Sequence, residues 1–205
     1  MISKDSAESL EQQGASLNSE APRGLIIAAP SSGSGKTTLT LALLRYFKNN
    51  NLRVGPAKVG PDYIDPAYHT AAAGRPCFNL DPWAMSTERC RLLAGMQTGS
   101  QADGSGLLLV ESMMGLYDGA MDGSGSGADL ARALDIPVVL VVDAAKQSHS
   151  IAALVRGFRD HDHSLRLCGV ILNRVGSARH ESMLRQALAD IDVSVLGAVR
   201  RNNSL

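Results

Sequence analysis

Leu25-Ile26-Ile27-Ala28-Ala29-Pro30-Ser31-Ser32-Gly33-Ser34-Gly35-Lys36-Thr37-Thr38 is the stretch on which the fold turns. An apolar run that enters a Gly/Ser loop, then Gly-Lys-Thr, then a helical pattern is the signature of a phosphate-binding P-loop. Glycines let backbone N–H groups approach phosphate oxygens, and the helix amino terminus adds the positive end of its dipole. Gly33, Ser34, Gly35, Lys36, Thr37 and Thr38 are therefore the candidate ATP contacts. Lys36 would reach the β- and γ-phosphates, and the Thr37 hydroxyl would sit on Mg²⁺. One position departs from G-x-x-x-x-G-K-[ST]: Pro30 stands where the first glycine is expected.

Outward from that loop, strand-like runs alternate with amphipathic segments. Strands are expected at Gly24–Ala29, Leu52–Val59, Leu107–Glu111, Pro137–Asp143, Leu167–Asn173 and Val193–Ala198. Helices are expected at Thr37–Asn50, Pro66–Ala73, Thr87–Gln97, Asp129–Leu134, Ser150–Asp160 and Ala178–Asp190. Leu39, Leu43, Leu44 and Phe47 follow the 3.6-residue period in the first of these. Uninterrupted aliphatic strands separated by helices predict an α/β fold of the P-loop NTPase type. Its doubly wound, mainly parallel sheet carries helices on both faces. Ligands then bind beyond the carboxyl ends of the strands. The Ser/Gly/Asp stretch Gly99–Gly106 reads as a loop.

Composition limits the function classes. Of 205 residues 44% are hydrophobic, enough for one sizeable core over residues 23–205. The 20 basic and 20 acidic side chains cancel, which argues against a nucleic-acid or acidic-membrane surface. Residues 1–22, rich in Ser, Glu, Gln and Ala, read as a disordered tail without the features of a secretory signal. No apolar run is long enough to span a bilayer. Cys77, Cys90 and Cys168 lack disulfide or zinc spacing and read as buried hydrophobes, so the expected compartment is the cytoplasm.

Polar residues gather where the apolar runs end. Lys58-Val59-Gly60-Pro61-Asp62-Tyr63-Ile64-Asp65-Pro66 places two carboxylates in a stiff loop, suited to Mg²⁺ or to orienting a substrate. A turn with solvated aspartates is the plainer alternative. Glu111 closes an apolar run in the position of a Walker-B-type carboxylate. Asp118 lies in a Gly-flanked turn, where a structural role competes with a functional one. Asp122–Gly127 has linker composition, and a mobile loop over a substrate is the other reading. Asn173 ends a strand, where it can hydrogen-bond a purine base or simply cap the strand. Capping of the next helix explains much of the polarity of Gln147–Ser150. His161 and His163 read as solvated residues at a helix end.

Taken together, the chain resembles the cobyrinate or hydrogenobyrinate a,c-diamide synthase family of cobalamin biosynthesis, from about Gly24 to Gly197. The motifs that carry it are Ala28–Thr38, Lys58–Pro66, Asn79-Leu80-Asp81-Pro82-Trp83-Ala84-Met85, Met114–Gly119 and Gly169–Arg174. The second and third are highly specific, whereas the first and last are shared with related ATPases. Asp143–Phe158 is more similar to the branch acting on hydrogenobyrinate. The resemblance implies a dethiobiotin-synthetase-like fold and an ATP-dependent carbon–nitrogen ligase. ATP phosphorylates a peripheral acetate of the corrinoid, and ammonia displaces the phosphate. That ammonia normally comes from glutamine, hydrolysed by a separate C-terminal glutaminase domain. By motif, Lys36, Asp62, Asp65 and Glu111 form the synthetase centre, with Thr37, Asp62 and Glu111 at Mg²⁺. Tyr63, Ile64 and Asp118 fall near the corrinoid or the metal. A homodimer is one assembly the resemblance allows.

Two features depart from the family pattern. Glu111-Ser112-Met113-Met114 replaces the usual Glu-Gly-Val-Met, and Val199-Arg200-Arg201-Asn202 follows Ala198 where Leu-Pro-Arg is common. No cysteine occupies a nucleophile elbow. The expectation is a synthetase domain cut short at its carboxyl end, able to bind ATP but without glutamine-dependent activity of its own. The rivals are dethiobiotin synthetase, which lacks the Gly-Pro-Asp-Tyr-Ile-Asp-Pro stretch, and cobyric acid synthase, which is Asn-rich there. A switch ATPase would carry a second lysine at the position of Ser31.

Overall fold

The computed structural model describes residues 22–98 and 106–202. The expected tail over residues 1–22 and the loop over 99–106 lie almost wholly outside the described residues. The chain runs β1 Gly24–Ala28, α1 Lys36–Asn49, β2 Val54–Val59, α2 Asp65–Ala73, β3 Phe78–Leu80, α3 Thr87–Thr98 and β4 Leu107–Glu111. It continues through α4 Gly127–Leu134, β5 Val138–Asp143, α5 Ser150–Asp160, β6 Leu167–Val175, α6 Ala178–Ala189 and β7 Val195–Arg200. Among the described residues the strands form one seven-stranded sheet in the order β3-β2-β4-β1-β5-β6-β7. Every pairing in it is parallel.

Both faces of this sheet are covered because successive strand residues point to opposite sides. Ile26 and Ala28 of β1 join a core built with Leu130 and Leu134 of α4, Val155 of α5 and Leu184 of α6. Ile27 and Ala29 instead meet Leu44 of α1 and Ala72 and Ala73 of α2. The two helix layers follow from right-handed crossovers. The chain steps from β1 outward to β3 through α1 and α2, then returns to β4 and on to β7 through α3–α6. That reversal beside β1 opens a crevice at the carboxyl ends of β1 and β4.

Three expectations need correction. β3 was not foreseen: its three residues pair with β2 through Ala57↔Phe78, Lys58↔Asn79 and Val59↔Leu80, a run too short for periodicity to reveal. The last strand sits two residues later than expected, since the turn through Asp192, with φ 56°, is closed by Val193 N donating to Leu188 O. Cys168 is exposed and Cys77 half-buried, leaving Cys90 alone of the three fully inside. On β6 Leu167 packs against the core, and alternation turns Cys168 to the other face. Among the described residues no helix is long and apolar enough to cross a membrane.

Candidate functional site

The loop between β1 and α1 takes its shape from two glycines in the left-handed region, Gly33 at φ 76° and Gly35 at φ 94°. A Cβ on Gly35 would stand 2.1 Å from Asn173 Nδ2, so only glycine fits. Asn173 donates to the Ser34 carbonyl at 2.9 Å, and Ser34 Oγ donates to the Ser31 carbonyl at 2.9 Å. Asn173 thus braces the loop from the end of β6, a contact that its strand-end position did not announce. Lys36 is buried, and its ammonium donates to Met114 O at 2.5 Å and Ser31 O at 3.4 Å. Burial holds its pKa below the usual lysine range against the nearby Glu111 charge. Thr38 is exposed on the first turn of α1.

Thr37 Oγ1 donates to Glu111 Oε1 at 2.6 Å, joining the P-loop to the end of β4. Glu111 is fully buried and shares a cation with the acidic loop. Lys58 Nζ stands 2.7 Å from Asp65 Oδ2, 3.1 Å from Glu111 Oε1 and 3.7 Å from Asp62 Oδ2. Burial alone would lower the Lys58 pKa; Glu111 and Asp65 reverse that and raise it above the ordinary value. On Glu111 burial pushes upward, and the His69 contact, the Lys58 charge and the Thr37 hydroxyl together bring it below the usual glutamate value. Asp62 Oδ1 accepts from the Ile64 and Asp65 amides at 2.8 and 3.1 Å, and Asn79 donates to the Asp62 carbonyl at 2.8 Å. Those backbone bonds, with Lys58, outweigh burial and lower the Asp62 pKa.

Lys36, Thr37, Asp62, Asp65 and Glu111 therefore come together as one group around the end of the sheet. Two members, Lys58 and His69, were not singled out from sequence. His69 is fully buried on α2, with Nε2 2.7 Å from Glu111 Oε2. The approach is close but not aligned, and neither atom has an in-line hydrogen bond. Its spacing of four residues from Asp65 sets both on one face of α2, the signal that could have found it. Lys58, a lone charge closing the strand before the acidic loop, offered a similar clue.

Asp118 Oδ2 accepts from the Gly115 amide at 2.8 Å, so the Gly-flanked turn is real and its carboxylate holds it. Tyr63 and Ile64 project outward, 90% and 69% exposed. The Asp122–Gly127 stretch is ordered by Asp122 accepting from Ser124 and by a Ser126–Asp129 capping box that starts α4. A Cβ on Gly127 would lie 2.1 Å from Ser112 Oγ, so glycine lets that helix abut the residue after Glu111. Capping does not explain Gln147–Ser150: His149 is the N-cap of α5 and makes no side-chain cap bond, its ring instead facing Ser148 Oγ at 3.3 Å. His161 ends α5 with its ring edge-on to Tyr117.

The donor set bears on Mg²⁺. Among the described residues no group of three or more His, Cys, Asp and Glu forms a metal cage. Mg²⁺ needs only one or two carboxylates when phosphate and water supply the other oxygens. Thr37 Oγ1 and Glu111, whose Oε2 has no aligned partner, fit that requirement. Asp62 has Oδ1 engaged by two amides and only Oδ2 to offer.

Comparison with known proteins bears on the family and the fold. Residues 25–205 match the family described as the CobQ/CobB/MinD/ParA nucleotide binding domain. Hydrogenobyrinate a,c-diamide synthase of Brucella anthropi is 60% identical over 183 residues, covering 89% of this chain and 41% of that protein. The protein of the same name from Rhodobacter capsulatus is 52% identical over 191 residues, covering 91% and 43%. The chain thus spans about two fifths of the length of these relatives. Chloroplast FtsY from Physcomitrella patens superposes with a TM-score of 0.57 at 17% identity, covering 87% of this chain and 59% of that one. The signal recognition particle 54 kDa protein of Aeropyrum pernix, solved with GDP, gives 0.57 at 14% identity, covering 96% and 47%. At such identities the two structures speak for the fold alone.

Proposed function

The chain belongs to the CobQ/CobB/MinD/ParA nucleotide-binding family, and on that premise we propose that it is the ATP-dependent half of a corrinoid-amidating ligase. The substrate is hydrogenobyrinate or its cobalt-containing counterpart cobyrinate, amidated at the a- and c-acetate carboxylates. The observation that carries this reading is the junction of Thr37, Glu111, Lys58, Asp62 and Asp65 within hydrogen-bond or ion-pair reach. Identity of 60% to proteins named for this reaction supports the choice of substrate.

In the first step an acetate oxygen attacks the γ-phosphorus, the bond from that phosphorus to the β–γ bridging oxygen breaks, and ADP leaves. In the second, ammonia attacks the acyl carbon, the C–O bond to phosphate breaks, and a proton is lost to give the amide. The P-loop amides and Lys36 hold the phosphates, and Lys36 offsets charge as two anions are brought together. Mg²⁺, held by Thr37 and Glu111, would supply further charge neutralisation on phosphate oxygens. Lys58, flanked by Asp62 and Asp65, holds the acidic loop at the mouth where Tyr63 and Ile64 offer an exposed surface to the macrocycle. Ammonia, free or from a glutaminase part, completes the reaction.

The test offers each corrinoid acid with ATP, Mg²⁺ and ammonium, and identifies amides by mass. The expected result is mono- and diamide with stoichiometric ADP. Isothermal titration supplies the control: Lys36→Ala removes a charged hydrogen-bond donor, about 1.5–3 kcal/mol of ATP binding. No ADP with any corrinoid, or equal ATP affinity for wild type and Lys36→Ala, overturns the reading.

A further inference from the structure

Beside Glu111 stand two side chains, His69 and Cys77, that the proposed chemistry does not use. His69 is 0% exposed, as is Glu111, and the facing atoms Nε2 and Oε2 are 2.7 Å apart. On the other side of the ring Nδ1 lies 3.7 Å from Cys77 Sγ. Cys77 is set in place by its amide, which donates to Thr70 Oγ1 at 3.0 Å. A carboxylate oxygen only accepts, so the nitrogen held 2.7 Å from it, although off the line of a hydrogen bond, avoids lone-pair repulsion by carrying the ring proton. In a neutral ring Nδ1 then accepts, and the Cys77 thiol beside it is a donor, with the Phe78 carbonyl at 3.9 Å as its other acceptor. Burial, and after it the Glu111 charge, pushes that thiol up to about 12, so it keeps its proton.

We propose that His69 is a positioning residue for Mg²⁺: it fixes the rotation of the Glu111 carboxylate, with the Cys77 thiol fixing the imidazole in turn. The carboxylate has two oxygens with separate tasks. Oε1 meets Thr37 and Lys58 at the nucleotide side, and only Oε2 can be steered by a group outside that cluster. Without His69 the carboxylate can rotate, and the orientation toward a metal on Thr37 is lost. Metal ligands are commonly oriented by such outer partners. The inference rests on the Mg·ATP reading of the site.

The test is titration of ATP into the full chain, with Mg²⁺ and separately with EDTA. His69→Gln carries a nitrogen at the place of Nε2, and His69→Asn carries one at the place of Nδ1. Outer-shell substitutions cost about 10–100-fold in metal affinity, so His69→Asn is expected to lose about tenfold in the Mg²⁺ titration and nothing in EDTA. His69→Gln is expected to stay within about threefold of wild type, on the same principle. Thermal melts without nucleotide report folding. Should His69→Asn not fold, Cys77→Ser, which keeps a hydroxyl donor, is compared with Cys77→Ala, which does not; weaker Mg·ATP binding by Cys77→Ala alone supports the proposal. Wild-type Mg²⁺ dependence in His69→Asn, equal losses in Mg²⁺ and EDTA, or identical Cys77 variants overturn it while leaving the nucleotide site standing. A wild type that gains nothing from Mg²⁺ removes both.

Discussion

Lys58 carries the charge balance of the site. Its buried ammonium faces Asp62, Asp65 and Glu111, and Glu111 is the one of the three that is wholly out of water. Removing one member of a buried pair leaves the other charge uncompensated, at a cost of about 3 kcal/mol or more. Lys58→Met is therefore expected to lower stability by about that much in urea denaturation without nucleotide. Adding Glu111→Gln returns part of the loss, because the most deeply buried of the stranded charges is gone. An unchanged urea midpoint for Lys58→Met would contradict this account. Asp62, Asp65, Glu111 and Thr37 could be read from the chain because each follows an apolar run that ends at the ligand edge of a parallel sheet. Lys58 and His69 could not be ranked the same way. A lysine in a strand and a histidine in a helix are ordinary locally, and their importance comes from what the sheet and α2 bring opposite them.

At the scale of elements, the site is held by joints between loops more than by any one helix. Asn173 at the end of β6 braces the P-loop through Ser34, and Asn79 of β3 braces the acidic loop through the Asp62 carbonyl. The short strand β3 matters chiefly as the carrier of that asparagine. α4 begins behind Ser112, its first turn closed by the reciprocal bonds of Ser126 and Asp129. Loss of an N-cap hydroxyl costs about 1 kcal/mol, so Ser126→Ala should lower the unfolding free energy by that amount, seen as a lower urea midpoint at an unchanged m-value. A shift no larger than that of an exposed serine such as Ser182 replaced by alanine would mean the box adds nothing. These joints span up to 139 residues of sequence, and local composition carries no trace of them.

For the molecule as a whole, the buried charges predict how stability follows pH. Glu111 and Asp62 titrate below their ordinary values of 4.5 and 3.8. Their contribution is complete above those values and is lost as pH falls through the lowered ones. Lys58 titrates above 10.5, so its contribution is complete below 10.5 and is lost as pH rises through the raised value. Urea midpoints should fall on the acid side as pH drops through the lowered carboxylate values, and Glu111→Gln should flatten that acid limb. An acid limb of the same slope in that variant would place the proton uptake elsewhere. The sequence by itself determined the class of fold and the nucleotide loop. Strand periodicity and the Gly-Lys-Thr turn are local signals, written in residues that are neighbours along the chain. Only the tertiary structure decided that Lys58 and His69 converge on Glu111 and that Asn173 props the P-loop. Those contacts depend on the strand order and on which helix layer covers which face, and both arise from packing over the whole sheet.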